Sequence, residues 1–185
     1  MRKIIASMMV SLDGFFEGPD RELDWTVESP DFERYCRDML DASDLMIFGR
    51  VSYEMMVRYW PAAEASARTE DERAFARTMN TTPKLVLSRT LAEAAWSHAR
   101  VIRDPSELAA VKQQPGKDIM VFGGAGAIES LRGAGLIDEW RLIVQPLALG
   151  AGRPLFQGLG ARLSLRLIGS QALDSGVVIL RYVPA

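Results

Sequence analysis

The stretch "IMVFGGAGAIESL", residues 119–131, decides the fold of this chain. An apolar run ends in Gly123-Gly124-Ala125-Gly126, and an amphipathic segment follows at once. This order predicts a buried strand, a tight glycine turn and a helix. Glycine permits both a positive φ and a close approach of the backbone to a ligand, and the N–H groups that begin a helix favour an anion. The stretch predicts either a phosphate-binding loop or a tight turn without a ligand.

The composition is that of a globular protein with one core. Of the 185 residues, 48% are hydrophobic and 25% are charged, and this length is enough for a single domain, residues 1–185. Lys and Arg number 22 and Asp and Glu 24, so 22 − 24 gives a net charge of −2. That balance has no basic surplus for nucleic-acid phosphates, and no apolar run approaches a membrane span. We therefore expect neither a nucleic-acid nor a membrane partner.

Cys36 and His98 are the single cysteine and the single histidine. One cysteine excludes an internal disulfide, which fits a reducing cytoplasm. A zinc site would need unusual ligands, so we expect no metal. Cys36 lies on the apolar stripe of a predicted helix and is interpreted as a packed thiol, whereas His98 lies in a polar connection and is expected to be exposed. The N-terminal segment lacks a small-residue cleavage site and is interpreted as a strand, not a signal peptide.

Strand and helix patterns alternate over most of the chain and then give way to strands alone. Predicted strands are "KIIASMMV", "DLMIFG", "KLVLS" and "DIMVFGG". Predicted helices are "DFERYCRDMLDASD", "VSYEMMVRYW" (closed by Pro61), "EDERAFARTM", "DPSELAAVKQQPG" and "AIESLRGAG". The tail has the consecutive strand patterns "EWRLIVQPLALG", "LSLRLIGSQAL" and "GVVILRYV". This order predicts an α/β fold with a mostly parallel sheet flanked by helices and antiparallel C-terminal strands.

Three of the predicted strands end in residues suited to a nucleotide. Gly49-Arg50 follows one, Ser88-Arg89 another, and Gly123-Gly124 a third. Ligands in open α/β sheets bind beyond the carboxyl ends of the strands. Two arginines and a serine suit the 2′-phosphate of NADPH, since arginine binds phosphate in a bidentate manner. The alternative for each arginine is a surface ion pair.

Six stretches in order resemble the dihydrofolate reductase-like family: "SLDGFFEG", "DW", "DLMIFGRVSYEMM", "KLVLSRTL", "IMVFGGAGAIESL" and "LIDEWRLIVQPLALGAGRPLF". The chain is most similar to stand-alone relatives of the C-terminal reductase domain of bifunctional riboflavin biosynthesis proteins. The resemblance implies a mostly parallel central sheet flanked by helices with an antiparallel end. It also implies bound NADPH and a homodimer that pairs through the C-terminal strands.

The resemblance also implies roles for particular residues. Those matching the adenosine and 2′-phosphate positions are Gly49, Arg50, Ser52, Ser88 and Arg89. Those matching the pyrophosphate loop are Gly123, Gly124, Ala125, Gly126, Ala127 and Ile128. Those near the nicotinamide are Met9, Phe16 and Gly18. The substrate pocket is expected to be lined by Met9 and Phe16 together with Trp25, Phe32 and Tyr53.

Asp31 falls near the pterin-binding carboxylate of the folate reductases, with a one-residue insertion, and is the candidate catalytic residue. The alternative is an acid in the first turn of a helix, favoured there by the helix dipole after Pro30. Asp13 likewise is expected to shape the "SLDG" turn.

Two departures from the family pattern bear on the substrate. Thr82-Pro83 stands where folate reductases carry an arginine for the glutamate carboxylate, so folate is not the expected substrate. Phe15 stands where the riboflavin-pathway reductases often carry Lys or Arg near a phosphorylated substrate. A deaminase half with its zinc motif is not expected either, because a single cysteine cannot supply the ligands.

The expected function is hydride transfer from NADPH to a pyrimidine- or pterin-like heterocycle, as in 5-amino-6-(5-phosphoribosylamino)uracil reductase. The hydride would reach a conjugated C=N or C=O bond, and the proton would come from Asp31 or from water. The alternative is an NADPH-binding sensor or degenerate reductase without turnover, because the same glycines and arginines would serve it equally.

Overall fold

The computed structural model describes all residues from 1 to 185. Its strands are β1 (Ile4–Val10), β2 (Phe15–Glu17), β3 (Ser43–Gly49), β4 (Lys84–Leu87), β5 (Ala99–Ile102), β6 (Asp118–Phe122), β7 (Glu139–Val144), β8 (Arg153–Pro154), β9 (Leu165–Ala172) and β10 (Val178–Pro184). Its helices are α1 (Pro30–Asp41), α2 (Arg50–Ser66), α3 (Glu70–Thr81), α4 (Glu107–Gln113) and α5 (Ala125–Gly133). None of these helices has the length and apolar character needed to cross a membrane.

The chain forms two compact units, each built from two segments. The first unit holds residues 1–4 and 37–137, and the second holds residues 5–36 and 138–185. The organisation of residues 1–185 as a single domain stays a prediction.

In the first unit, four parallel strands follow the order β5, β4, β3 and β6. All are apolar and largely buried except the edge strand β5, because helices cover a parallel sheet on its faces. A cluster around Phe48, Tyr53 and Trp96 forms part of the core, with ring centroids 5.9 Å apart for Phe48 and Trp96. Helix α2 contacts β3 and β4, α5 contacts β3, and α3 contacts α2.

In the second unit, β1 runs parallel to β7, while β10 runs antiparallel to both β7 and β9. Buried residues Phe32, Ile143, Val177 and Ile179 form the core between α1 and these strands. The predicted fold class is therefore confirmed: mostly parallel strands flanked by helices, followed by antiparallel C-terminal strands. Cys36 is half-buried against this core, as predicted for a packed thiol.

The end predicted for α2 was wrong. Pro61 lies inside the helix, which continues to Ser66. Proline removes one intrahelical hydrogen bond, but the last turn is held by tertiary contacts. Ala63 is buried, and Glu64 accepts from Arg77 of α3 at 2.9 Å. Packing against α3 therefore outweighs the local preference of proline to end the helix.

Three short strands were absent from the sequence prediction. β5 lies in the segment predicted to be a polar connection, yet Ile102 is buried and the strand pairs with β4. The exposed residue His98 directly precedes it, with φ 58°. β2 and β8 form a separate two-stranded ribbon. Each of these strands has two to four residues, too few to show a period of two.

Candidate functional site

Two of the three strand ends predicted to bind a nucleotide are in direct contact in the first unit. Strands β3, β4 and β6 are parallel neighbours, so their carboxyl ends meet at one edge. The N–H of Gly49 donates to the carbonyl oxygen of Gly123 at 3.4 Å. Gly123 and Gly124 have φ 74° and 89°, a region that disfavours any residue with a side chain. The glycine turn therefore brings the end of β6 against the end of β3.

The closest approach is between Gly124 and Gly49. A β-carbon placed on Gly124 would stand 2.9 Å from the Cα of Gly49 and 3.0 Å from its nitrogen. A β-carbon on Gly49 would in turn stand 3.2 Å from the Cα of Gly124. These two glycines are required by the contact of two backbones, before any ligand is considered. Gly126 differs, since a β-carbon there would meet nothing within 4 Å.

The same contact brings two helix N-termini together. Gly49 precedes α2 and Gly124 precedes α5, and neither helix has a side-chain cap. By contrast, Thr69 caps α3 by accepting from the Glu72 N–H at 3.1 Å. The first hydrogen bond of α5 runs from the Ile128 N–H to the carbonyl oxygen of Gly124 at 3.0 Å. The N–H groups of residues 125–127 therefore lie before the first hydrogen bond of the helix. Two uncapped N-termini side by side favour a polyanion.

The arginine after β3 reaches the loop after β4. Arg50 donates from Nη1 to Thr90 Oγ1 at 2.8 Å and from Nε to Glu54 Oε1 at 2.7 Å. Its side chain is half exposed, and Arg89 is exposed beside Thr90. Arg50 therefore lies against the Ser88-Arg89-Thr90 segment, as the sequence prediction requires. Its ion pair with Glu54 shows that the alternative of a surface pair holds in part.

The loop after β4 is held in place by Ser88, which the sequence analysis named, and by Arg103, which it missed. Ser88 Oγ accepts from the N–H groups of Thr90 at 3.3 Å and Leu91 at 3.0 Å. Arg103 donates to the carbonyl oxygens of Ser88 at 2.8 Å and Leu91 at 2.6 Å. Thr90 adjoins the predicted pair Ser88-Arg89, so its place in the sequence could have identified it as a site residue. Arg103 follows the missed strand β5, so no signal placed it here.

In the second unit, the residues predicted near the nicotinamide lie on β1 and on the segment after it. Met9 of β1 packs against the core cluster that contains Phe32. Phe16 of β2 is buried, with the guanidinium carbon of Arg153 5.7 Å from its ring centroid. The Gly18 N–H donates to the Glu22 carbonyl oxygen at 3.2 Å, which closes a turn.

Trp25 lies in the same segment of the second unit, and its ring nitrogen donates to the carbonyl oxygen of Glu22 at 3.0 Å. The ring is half-buried. The segment after β2 is thus folded on itself through Glu22, which accepts from both Gly18 and Trp25.

Asp13 fastens the turn after β1 to a distant loop. Its carboxylate accepts from Ser11 Oγ at 2.6 Å and from the N–H groups of Leu149 at 3.1 Å and Gly150 at 2.7 Å. These hydrogen bonds, that from Ser11 first, lower the pKa of Asp13 to about 2. Asp13 therefore joins two segments besides shaping its own turn.

Asp31 is bound by neighbouring donors. Its carboxylate accepts from Ser29 Oγ, from the Phe32 N–H at 2.9 Å and from the Ser175 N–H at 3.3 Å. The hydrogen bond from Ser29 is the main cause that lowers the pKa of Asp31. The side chain is thus ionised at neutral pH and sits in the first turn of α1. This arrangement favours the helix-dipole interpretation, and the catalytic role stays a prediction.

Phe32 and Tyr53, both predicted to touch substrate, are core residues. Phe32 is buried in the second unit against Ile143 and Val177. Tyr53 is 3% exposed in the first unit, and its hydroxyl accepts from the Trp96 N–H at 2.9 Å. The Tyr53 hydroxyl is therefore engaged and its ring is enclosed, and its role in binding substrate stays a prediction.

Comparison with known proteins places this geometry among described folds. The sequence model of a family described as the RibD C-terminal domain matches residues 2–179. The chain is 36% identical to the uncharacterized protein YyaP of Bacillus subtilis (strain 168), over 98% of this chain and 94% of that protein.

Two solved structures share the fold. One is a protein from Shewanella sp. PV-4 whose name assigns it to riboflavin biosynthesis, with a TM-score of 0.76, 20% identity, and coverage of 100% of this chain and 99% of that chain. The other is a dihydrofolate reductase from Enterococcus faecalis, complexed with NADP(H) and RAB-propyl. It has a TM-score of 0.61 and 11% identity, and the match covers 98% of this chain and 96% of that chain. The dihydrofolate reductase-like fold is therefore confirmed.

Proposed function

This chain belongs to the RibD C-terminal domain family, and on that basis we propose that it is an NADPH-dependent reductase of a small heterocycle resembling a pyrimidine or a pterin. The family and the fold support a reductase-family role. The identity of the cofactor and the class of substrate are narrower proposals, and each rests on particular residues of this chain.

The observation that carries the cofactor proposal is the pair of uncapped helix N-termini at the Gly49–Gly124 contact. The pyrophosphate would accept from the N–H groups of residues 125–127, where the open side of Gly126 lets an anion approach. Arg50, Arg89 and the Ser88 hydroxyl would hold the 2′-phosphate. A dihydrofolate reductase of the same fold was solved with NADP(H), which supports this choice.

The substrate proposal rests on residues of the second unit. NADPH provides a hydride when it is bound. Met9 and Trp25 are half-buried and Phe16 is buried, and these apolar side chains would orient a flat ring and exclude water. Asp31 is ionised and occupied by three donors, so we propose that solvent, not this carboxyl, provides the proton. Without a basic residue at Phe15, a phosphorylated substrate loses the contact expected in the riboflavin pathway.

A homodimer and a cytoplasmic location complete the proposal. The edge strand β9 exposes Leu167 by 50% and Ile168 by 40%. A long apolar edge needs a cover, and a second copy related by a two-fold axis would provide one. The single cysteine is half-buried, and a chain with one cysteine fits a reducing compartment.

The test measures binding and turnover separately. NADPH and NADH are titrated by calorimetry, and NADPH oxidation is then followed with a panel of dihydropterins and aminopyrimidines. We expect tighter binding of NADPH than NADH and turnover of at least one ring system. Tight binding without turnover of any of them would favour the sensor, and failure to bind NADPH would refute both proposals.

A further inference from the structure

Gln145 follows β7 directly and is completely buried, at 0% exposure. Its Oε1 accepts from the Val27 N–H at 2.9 Å. A backbone N–H can only donate, so the atom facing Val27 must be the amide oxygen. The amide nitrogen therefore faces elsewhere, and it has no hydrogen-bond partner. A buried donor without a partner is costly and calls for an explanation.

Gln145 lies near the residues of the second unit that we propose bind the substrate. Gln145 is two residues beyond Ile143, so the two side chains share a face of the strand. Ile143 pairs with Met9 of β1 and packs against Phe32 of α1. Since β1 and β7 are parallel, Gln145 stands just past the carboxyl ends of both, where α/β sheets bind their ligands.

A second buried polar atom flanks the same segment. Ser175 Oγ has no partner, while the Ser175 N–H donates to Asp31 at 3.3 Å. Residues 27–31 are thus tied at one end to Gln145, through Val27, and at the other to Ser175, through Asp31. Because Gln145 is enclosed, a ligand would reach its amide only through a movement of the segment around Val27, and one hydrogen bond, from the Val27 N–H, joins this segment to that amide.

We propose that Gln145 determines substrate specificity by donating from Nε2 to a ring carbonyl oxygen of the heterocycle. The inference rests on the reductase proposal and narrows its substrate class to rings with a carbonyl acceptor, the uracil or oxopterin type. A site whose buried donor binds an oxygen of the substrate discriminates strongly against an analogue that has no acceptor at that position. A ring with an amino group in place of the carbonyl would present a donor to a donor.

The test uses a matched pair of probes, 5,6-diaminouracil and 2,4,5,6-tetraaminopyrimidine. The first carries ring carbonyl groups at the positions where the second carries amino groups. Each is titrated by calorimetry with NADPH present at mildly alkaline pH. We expect the wild type to prefer diaminouracil by at least about tenfold. Gln145→Glu keeps the acceptor for Val27 but loses the donor when ionised, so it should lose this preference. Gln114→Glu, exposed at the end of α4, is the control and should keep it.

Gln145→Met separates recognition from a purely structural role, because it lacks both the donor and the acceptor for Val27. If Gln145→Met alone is impaired and Gln145→Glu keeps the wild-type preference, the amide serves only Val27 and the proposal is overturned. It is overturned equally if the wild type binds neither probe or does not distinguish them. NADPH affinity, measured in the same samples, should be unchanged in both variants. Loss of NADPH binding in the wild type would instead refute the reductase proposal.

Discussion

The Cα of Gly49 lies 2.9 Å from the point where a β-carbon on Gly124 would stand. Two backbones that emerge from different strands therefore pass each other with no room for a side chain. The contact explains why glycine occupies both positions, and it aligns the N-termini of α2 and α5. Substitution of Gly124 would disturb the fold itself, so it cannot report cleanly on a ligand.

Gly126 offers a cleaner test of the pyrophosphate site. A leucine there meets no atom of the protein near its β-carbon, but it would occupy the space over the N-terminus of α5. We expect Gly126→Leu to retain its unfolding temperature and to lose NADPH binding by at least about tenfold. Gly133→Leu, at the other end of α5 and equally uncrowded, is the matched control. Equal NADPH binding in both variants would mean that the glycine turn serves the fold alone.

Cofactor preference depends on Arg50 and Arg89. A charge-assisted hydrogen bond to the 2′-phosphate contributes about 1.5–3 kcal/mol, roughly one to two decades in affinity. NADH lacks that phosphate, so Arg50→Ala should weaken NADPH far more than NADH. Arg89→Ala should act in the same direction but less, because salt and solvent screen an exposed side chain. Fluorescence titration of both cofactors measures the difference.

Equal losses for the two cofactors would show that these arginines hold the loop, not the phosphate. Thr90→Val serves as the control for that outcome, because it removes the contact from Arg50 while leaving both charges in place.

Asp31→Asn tests the proton source. The pKa of Asp31 is lowered, so the group contributes stability that is complete above its ordinary pKa of 3.8 and is lost as pH falls below it. Asparagine keeps an acceptor oxygen for the Phe32 N–H. We therefore expect wild-type turnover near neutral pH and a flatter acid-unfolding profile, measured by circular dichroism against pH. A folded Asp31→Asn protein with turnover reduced a hundredfold or more would identify Asp31 as catalytic.

The burial of Lys84 predicts that the free energy of unfolding depends on pH in the alkaline range. Its ammonium is buried, donates to the carbonyl oxygens of Asn80 at 3.1 Å and Thr82 at 2.6 Å, and lies 4.5 Å from the Trp96 ring centroid. Burial lowers the pKa of Lys84 from 10.5 to about 8. Between these values the unfolded chain binds the additional proton, so the free energy of unfolding rises with pH, by on the order of 3 kcal/mol in total.

Urea unfolding of the wild type and of Lys84→Met across that alkaline range isolates this contribution. The difference between their stabilities should change with pH only between the folded and unfolded pKa values of Lys84. A constant difference would show that the folded pKa is close to its ordinary value.

The proposed homodimer predicts that charge on β9 prevents association. Leu167→Lys with Ile168→Glu should convert the dimer to a monomer, because the exposed apolar edge is then charged. Tyr59→Lys changes another exposed apolar side chain, on α2, and should leave the mass unaltered. Light scattering over a wide concentration range measures the mass, and a wild type that is monomeric throughout would rule out the dimer.

The sequence was sufficient where the signal was local or repeated. Long apolar strands and amphipathic helices were predicted correctly. Gly49 and Gly123 were placed at the ends of two predicted strands, and they meet because parallel neighbouring strands bring their ends to one edge. It failed where a distant contact decides the outcome. Packing of Ala63, which is buried, carries α2 past Pro61. Gln145 meets Val27, 118 residues away in the chain, so no spacing could reveal their hydrogen bond.

The pairing of β1 with β7 also bears on how the chain is made. Ile5 pairs with Glu139, and 139 − 5 gives a separation of 134 residues. The ribosome therefore makes β1 well before β7, and this apolar strand must wait for β7 while the intervening residues are synthesised. During that interval the seven residues of β1, nearly all of them buried in the folded protein, can contact other nascent chains. Slow translation or the loss of a chaperone should therefore reduce the yield of folded protein more than its thermodynamic stability would suggest.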